Sequence, residues 1–185
     1  MMDELSLNIL DIAQNSIAAG AALVEIDIEE DNTLDRLTIR VKDNGKGMSE
    51  DFLEKVHDPF ITTRTTRKIG LGISFFKEAA EITGGYISIQ SELGVGTTIT
   101  GVFVLSHIDR QPLGNLTDTV ITLVSLNPEI DFNICYKVDT NEFLFSTQEV
   151  KELLGDDAKL NSPPIVSFLT EYVSEHILNL SGGAT

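Results

Sequence analysis

The sequence predicts an α/β fold with a small C-terminal α+β unit, and three observations predict it. Apolar residues recur at helical spacing in two stretches of the first half and at strand spacing in four others, so helices and strands interleave. A polar break at residues 107–114, carrying Pro112 and Gly114, interrupts that pattern. Beyond the break come a helix, a hairpin and two more helices. The expected organisation is a first domain over residues 1–108 and a second over residues 109–185.

Residues 4–19 read as an amphipathic helix. Leu5, Ile9, Ile12 and Ser16 fall on one face, and Asn8, Asp11 and Asn15 on another that reads as solvated. Asp11 and Asn15, four apart, point the same way. Gly20 stops the helix, and residues 22–28 alternate like a half-buried strand. Residues 37–42 are strand-like and run into Asp43-Asn-Gly-Lys-Gly-Met48. Residues 58–69 are polar and cationic, lack apolar periodicity and read as a loop. Gly70-Leu71-Gly72 precedes a helical pattern over residues 74–83, which Gly84 and Gly85 close. Residues 86–90 are strand-like, and residues 91–104 read as a glycine turn leading into a strand.

In the second unit, residues 115–126 read as a helix, and residues 131–138 and 142–145 as a hairpin around residues 139–141. Residues 148–154 read as a short helix capped by Thr147. The last helix, residues 164–180, aligns Ile165, Phe168, Leu169, Tyr172, Val173 and Ile177 along one stripe, and residues 181–185 read as a frayed tail. Such a unit can pack on the first domain, form a homodimer or hold a partner, and its sequence leaves all three open.

The 185 residues, 42% hydrophobic and 23% charged, can bury one substantial core plus a small appendage. No apolar run approaches membrane-spanning length, residues 1–5 carry no basic stretch, and the single Cys135 cannot form an internal disulfide. A cytoplasmic protein without a membrane partner is expected. A net charge of −16 and a pI near 4.4 speak against nucleic acid as a partner, because its phosphates are bound chiefly by Lys and Arg. No His or Cys spacing resembles a zinc site, and there is no Ser-His-Asp elbow or P-loop.

Two patterns carry chemistry. Asp43 stands two and four residues ahead of Gly45 and Gly47, directly after a strand. Such a turn can offer a buried carboxylate to a ligand N–H while the glycines let the ligand approach the backbone. Gly70 and Gly72 stand at a helix start, where exposed backbone N–H groups and the positive end of the helix dipole suit a phosphate. Arg64, Arg67 or Lys68 in the preceding loop can reach a terminal phosphate.

The ordered set Asp11-x-x-x-Asn15, Asp43-x-Gly45-x-Gly47, Asp58-Pro-Phe60, Gly70-Leu71-Gly72 and Gly96-Thr97 resembles the GHKL ATPase superfamily, over residues 3 to about 105. Asp58-Pro-Phe60 with Thr62 and Thr63, and the ending at Thr97, look most like histidine kinases. The segment after Asn15 is similar to the MutL type. The resemblance implies a two-layer sandwich, the Bergerat-type ATP-binding fold, with helices on one face of a mixed sheet and ATP between the layers. By the same resemblance Asn15 completes the coordination of Mg2+, and Asp43 accepts the adenine amino hydrogen. Gly45 and Gly47 shape the base pocket, Gly70, Leu71 and Gly72 give backbone N–H groups to the phosphates, and Thr97 contacts the base side. Residues 62–69, with Thr63, Arg64 and Lys68, form the ATP lid.

Two departures from the family pattern bear on chemistry. Where related hydrolases and serine kinases carry a glutamate general base, this chain has Asp11, shorter by one methylene. Only ten residues precede Asp11, so a phosphoacceptor helix upstream of the ATP-binding region is not expected. His57, His107 and His176 lack the acidic-helix context of a phosphoacceptor and read as structural. The expected function is a stand-alone regulatory ATP and Mg2+ binder that transfers the γ-phosphate to a separate protein or to water. The alternative is a non-catalytic, nucleotide-responsive protein-binding module.

Overall fold

The computed structural model describes residues 4–57, 71–155 and 159–180. Its chain order is α1 (Leu5–Ala18), β1 (Leu23–Asp31), β2 (Arg36–Asp43), α2 (Glu50–His57), α3 (Leu71–Ile82), β3 (Tyr86–Glu92), β4 (Gly96–Val104), α4 (Leu116–Leu126), β5 (Asp131–Val138), β6 (Asn141–Ser146), α5 (Thr147–Leu154) and α6 (Pro163–Leu180). The six strands form one sheet in the order β3-β4-β2-β1-β5-β6. The β1–β5 pairing is parallel and the other four are antiparallel, so the sheet is mixed, as the α/β reading expects.

Alternation along the strands puts Val24, Ile26, Ile28, Leu37, Ile39, Val41, Phe132, Ile134 and Phe103 on one buried face. The helices cover that face. The opposite face is polar and carries ion pairs Arg40–Asp27 at 2.7 Å, Lys42–Glu25 at 2.7 Å and Lys137–Glu29 at 2.8 Å, all part-exposed and each worth little. Two layers are the result. Residues on both sides of position 108 share this sheet and one core, because β5 extends the sheet from β1 and Leu116, Val120, Leu123 and Val124 of α4 join the same cluster as Leu5, Ile9 and Ile12.

α1 buries Leu5, Ile9, Ile12, Ala13 and Ser16 in one stripe and ends at Gly20, whose φ of 78° suits a left-handed helix terminus. Asn8, expected on a solvated face, is instead fully buried. The cause is long-range: residues 111–113 cross the start of α1, and the backbone N–H groups of Leu5 and Ser6 donate to the Pro112 and Leu113 carbonyls at 3.0 and 2.8 Å. Asn8 Nδ2 then donates to Gln111 Oε1 at 3.5 Å, while its Oδ1 has no partner among the described residues.

The sequence reading names no element at residues 50–57, where α2 forms; its acidic first turn, Glu50 and Asp51, follows Ser49 as a helix start does. Two further readings are corrected. Thr147 does not cap α5 but is its first residue. Its hydroxyl accepts the Phe132 N–H at 2.8 Å, so a tertiary partner takes the oxygen that a cap would use. The α6 stripe is narrower than the sequence suggests, because only Leu169 and Val173 are fully buried. Phe168 is 59% exposed and Tyr172 37% exposed on its outer flank, with ring centroids 6.2 Å apart.

Candidate functional site

Asp43 is the last residue of β2 and is 9% exposed. Ser16 of α1 donates its hydroxyl to Oδ2 at 2.7 Å, and the Gly45 N–H donates to Oδ1 at 2.9 Å. The carboxylate is thereby oriented by both oxygens yet keeps lone pairs to accept a ligand N–H. Asn44 folds the chain back, its Oδ1 accepting the Ala22 and Leu23 N–H groups at 2.8 and 2.9 Å. The Lys46 N–H donates to the Ala19 carbonyl at 3.0 Å, which seats the turn on the end of α1.

Gly47 is required by its backbone. Its φ is 63°, and a Cβ there would overlap the Glu92 carbonyl oxygen. Around it the turn is laced to the end of β3 and the start of β4. The Met48 N–H donates to Ser91 Oγ at 2.8 Å, the Gly94 N–H to the Lys46 carbonyl at 2.7 Å, and Ser91 Oγ lies 2.8 Å from Thr97 Oγ1. Thr97 is the cross-strand neighbour of Asp43. The structure thus brings together Asp43, Gly45, Gly47 and Thr97.

The second half of the site is built on α1 and α3. Asp11 and Asn15 are both part-buried, one turn apart, and neither side chain has a hydrogen-bond partner among the described residues. A Cβ on Gly72 would overlap Oδ2 of Asp11, so the carboxylate rests against the backbone at the start of α3. α1 is therefore the shared wall: Asp11 faces α3, Ser16 holds Asp43, and Ala19 seats the glycine turn. Thr63, Arg64, Lys68 and Gly70, with residues 58–60 and 62–69, lie outside the described residues, as do the side chains of Leu71 and His57 and the tail at residues 181–185.

An adenine nucleotide with Mg2+ fits this donor set. Asn15 offers an amide oxygen without a hydrogen-bond partner among the described residues, a hard ligand of the kind Mg2+ accepts, one turn from the Asp11 carboxylate. Among the described residues no group of three His, Cys, Asp or Glu could hold a metal ion, so an ion here would draw most of its ligands from elsewhere. Sequence reasoning missed Ser16 and Ser91 as supports. Ser16 is detectable as a hydroxyl within an otherwise apolar stripe of α1; nothing local marks Ser91.

His107 and His176 lie apart from this constellation. Nδ1 of His107 accepts the Asp109 N–H at 3.1 Å, and the His176 ring stacks on Phe143 at 4.9 Å with Nδ1 2.8 Å from the Tyr172 carbonyl. No helix among the described residues is long and apolar enough to cross a membrane.

Sensor histidine kinase YvrG of Bacillus subtilis is 30% identical over 93 residues, covering 48% of this chain and 16% of the relative. Sensor kinase CckA of Brucella abortus is 43% identical over 65 residues, covering 35% of this chain and 7% of the relative. The chain thus spans less than a quarter of the length of these curated relatives. Among solved structures, the MutL ATPase domain of Aquifex aeolicus complexed with ADP matches with a TM-score of 0.52 at 18% identity, over 83% of this chain and 70% of that one, which is a likeness of fold. The model of the histidine kinase-, DNA gyrase B- and HSP90-like ATPases matches residues 1–107, more than half of the chain, and the chain belongs to that family.

Proposed function

We propose that this chain binds ATP with Mg2+ between α1, the start of α3 and the turn after β2, and passes the γ-phosphate to a separate cytoplasmic protein or to water in a regulatory role. The observation that carries the reading is Asp43: a buried carboxylate oriented by Ser16 and Gly45, on the floor of a glycine turn and opposite Thr97. There it accepts the adenine amino hydrogen. Gly45 and Gly47 shape the base pocket in this reading, and the backbone at Leu71 and Gly72 meets the phosphates. Thr63, Arg64, Lys68 and Gly70 complete the phosphate end in this reading.

Mg2+, when bound, supplies neutralisation of phosphate charge. Asn15 would hold it, and Asp11 is the acidic group on the same helix placed to take a proton from the attacking water or hydroxyl. An acceptor on another molecule is supported by the two described histidines, since His176 is packed against Phe143 and Tyr172 and His107 is engaged with Asp109.

Incubation with γ-labelled ATP and Mg2+, alone and with cell extract, tests this. The expected result is label on inorganic phosphate or on another protein. Label that stays on ATP although nucleotide binds would replace catalysis with the nucleotide-responsive binding module, in which ATP alters a partner surface.

A further inference from the structure

We infer that Asp11, apart from any part in turnover, makes the site discriminate between metal-bound and metal-free nucleotide by keeping a negative charge against the first turn of α3. The inference rests on reading that turn as the phosphate end of the ATP site. Gly72 is the second residue of α3, and a Cβ there would overlap Asp11 Oδ2 and lie 2.7 Å from its Cγ, so a glycine is what lets the carboxylate come so close to the helix backbone. The first turn of α3 carries no acidic side chain of its own. The anion facing the partial positive charge of this helix start is therefore supplied across the site by α1.

Among the described residues no Lys or Arg pairs with Asp11 and no group donates a hydrogen bond to it, in contrast to Asp43, whose two oxygens are both engaged. A phosphate brought to this turn without a cation meets a like charge at close range. For part-exposed groups near a protein surface such repulsion lowers affinity roughly tenfold or more. A divalent cation held near Asp11 and Asn15 would offset that repulsion by supplying positive charge at the same end of the site.

A general base changes only the rate of a chemical step, whereas this charge filter changes equilibrium binding and is read with a nucleotide that does not turn over. The test is calorimetric titration of ADP into the full chain, in excess EDTA and in excess Mg2+, for wild type, Asp11→Asn and Asp11→Ser. Adenosine serves as the ligand without phosphate. Both variants should bind ADP in EDTA roughly tenfold tighter than wild type and bind adenosine equally, so the gain in affinity from Mg2+ shrinks. Unchanged or weaker metal-free ADP binding in both folded variants overturns the inference, as does an equal gain for adenosine. Wild type that fails to bind ADP even with Mg2+ overturns the nucleotide site itself.

Discussion

Asp43 and Asp139 each stand at the end of a strand of the same sheet, and each accepts two hydrogen bonds. Asp139 is exposed, has a φ of 52°, and gives its two oxygens to one residue, the N–H of Asn32 at 2.9 Å and its Nδ2 at 3.0 Å. It ties the β5–β6 turn to the β1–β2 loop, and its remaining lone pairs face solvent. Asp43 is buried, takes one bond from a different helix and one from its own turn, and sits where Gly45 and Gly47 keep side chains away. The count of hydrogen bonds is equal. What separates a candidate site from a turn is that the remaining lone pairs of Asp43 are buried while those of Asp139 face solvent.

If this contrast is right, variants around the Asp43 turn and α1 act on nucleotide chemistry and binding, and variants around the Asp139 turn act on stability alone. The largest effect is expected at Asp11. A positioned general base contributes about 10²–10⁴-fold, so Asp11→Asn should lose nearly all phosphate release in a steady-state assay while still binding nucleotide. Asp11→Glu sharpens the point: faster hydrolysis would show that the short side chain limits the reaction.

Gly47→Ala comes next. A Cβ at a φ of 63° that overlaps the Glu92 carbonyl has no flexible side chain to push aside, so unfolding in denaturant should show a loss of about 2 kcal/mol or more, with weakened nucleotide binding. Asn15→Ala should cost roughly tenfold in the magnesium-dependent part of affinity and little in the metal-free part, as titrations with and without chelator would show. An equal fall in both would make Asn15 a support of the helix only.

Asp139→Asn should be the mildest. Hydrogen bonds from the Asn32 side chain, and then from its backbone, hold the Asp139 carboxyl below its ordinary value of 3.8. Its contribution to stability is therefore complete above that value and lost as pH falls through the lower folded value. The stability difference between wild type and variant should shrink below about pH 4. Nucleotide affinity should not move.

Much of the fold is legible in the sequence because its information is local. Period-two runs foretell β1, β2, β3 and β5, and the stripe of Leu5, Ile9, Ile12 and Ser16 foretells α1 with its stop at Gly20. Asp43, Gly45 and Gly47 are legible for the same reason, since strand and turn are contiguous in the chain, whereas Thr97 reaches Asp43 from beyond α2, α3 and β3 and is indicated only by the family resemblance. What is not legible comes from distance. The parallel pairing of β1 with β5, Val24 opposite Phe132, joins segments about a hundred residues apart, and the burial of Asn8 depends on residues 111–113 crossing α1. Thr147 fits a cap locally, but the N–H of Phe132 competes for its hydroxyl and wins.

Calorimetry of ATP with Mg2+ on folded wild type and Asp43→Asn tests the central claim most directly. The substitution puts an amide where the adenine amino group needs a charged acceptor, a contact worth about 1.5–3 kcal/mol, so affinity should fall roughly tenfold to more than a hundredfold. Equal affinities in the two folded proteins would contradict the assignment of the Asp43 turn as the base pocket.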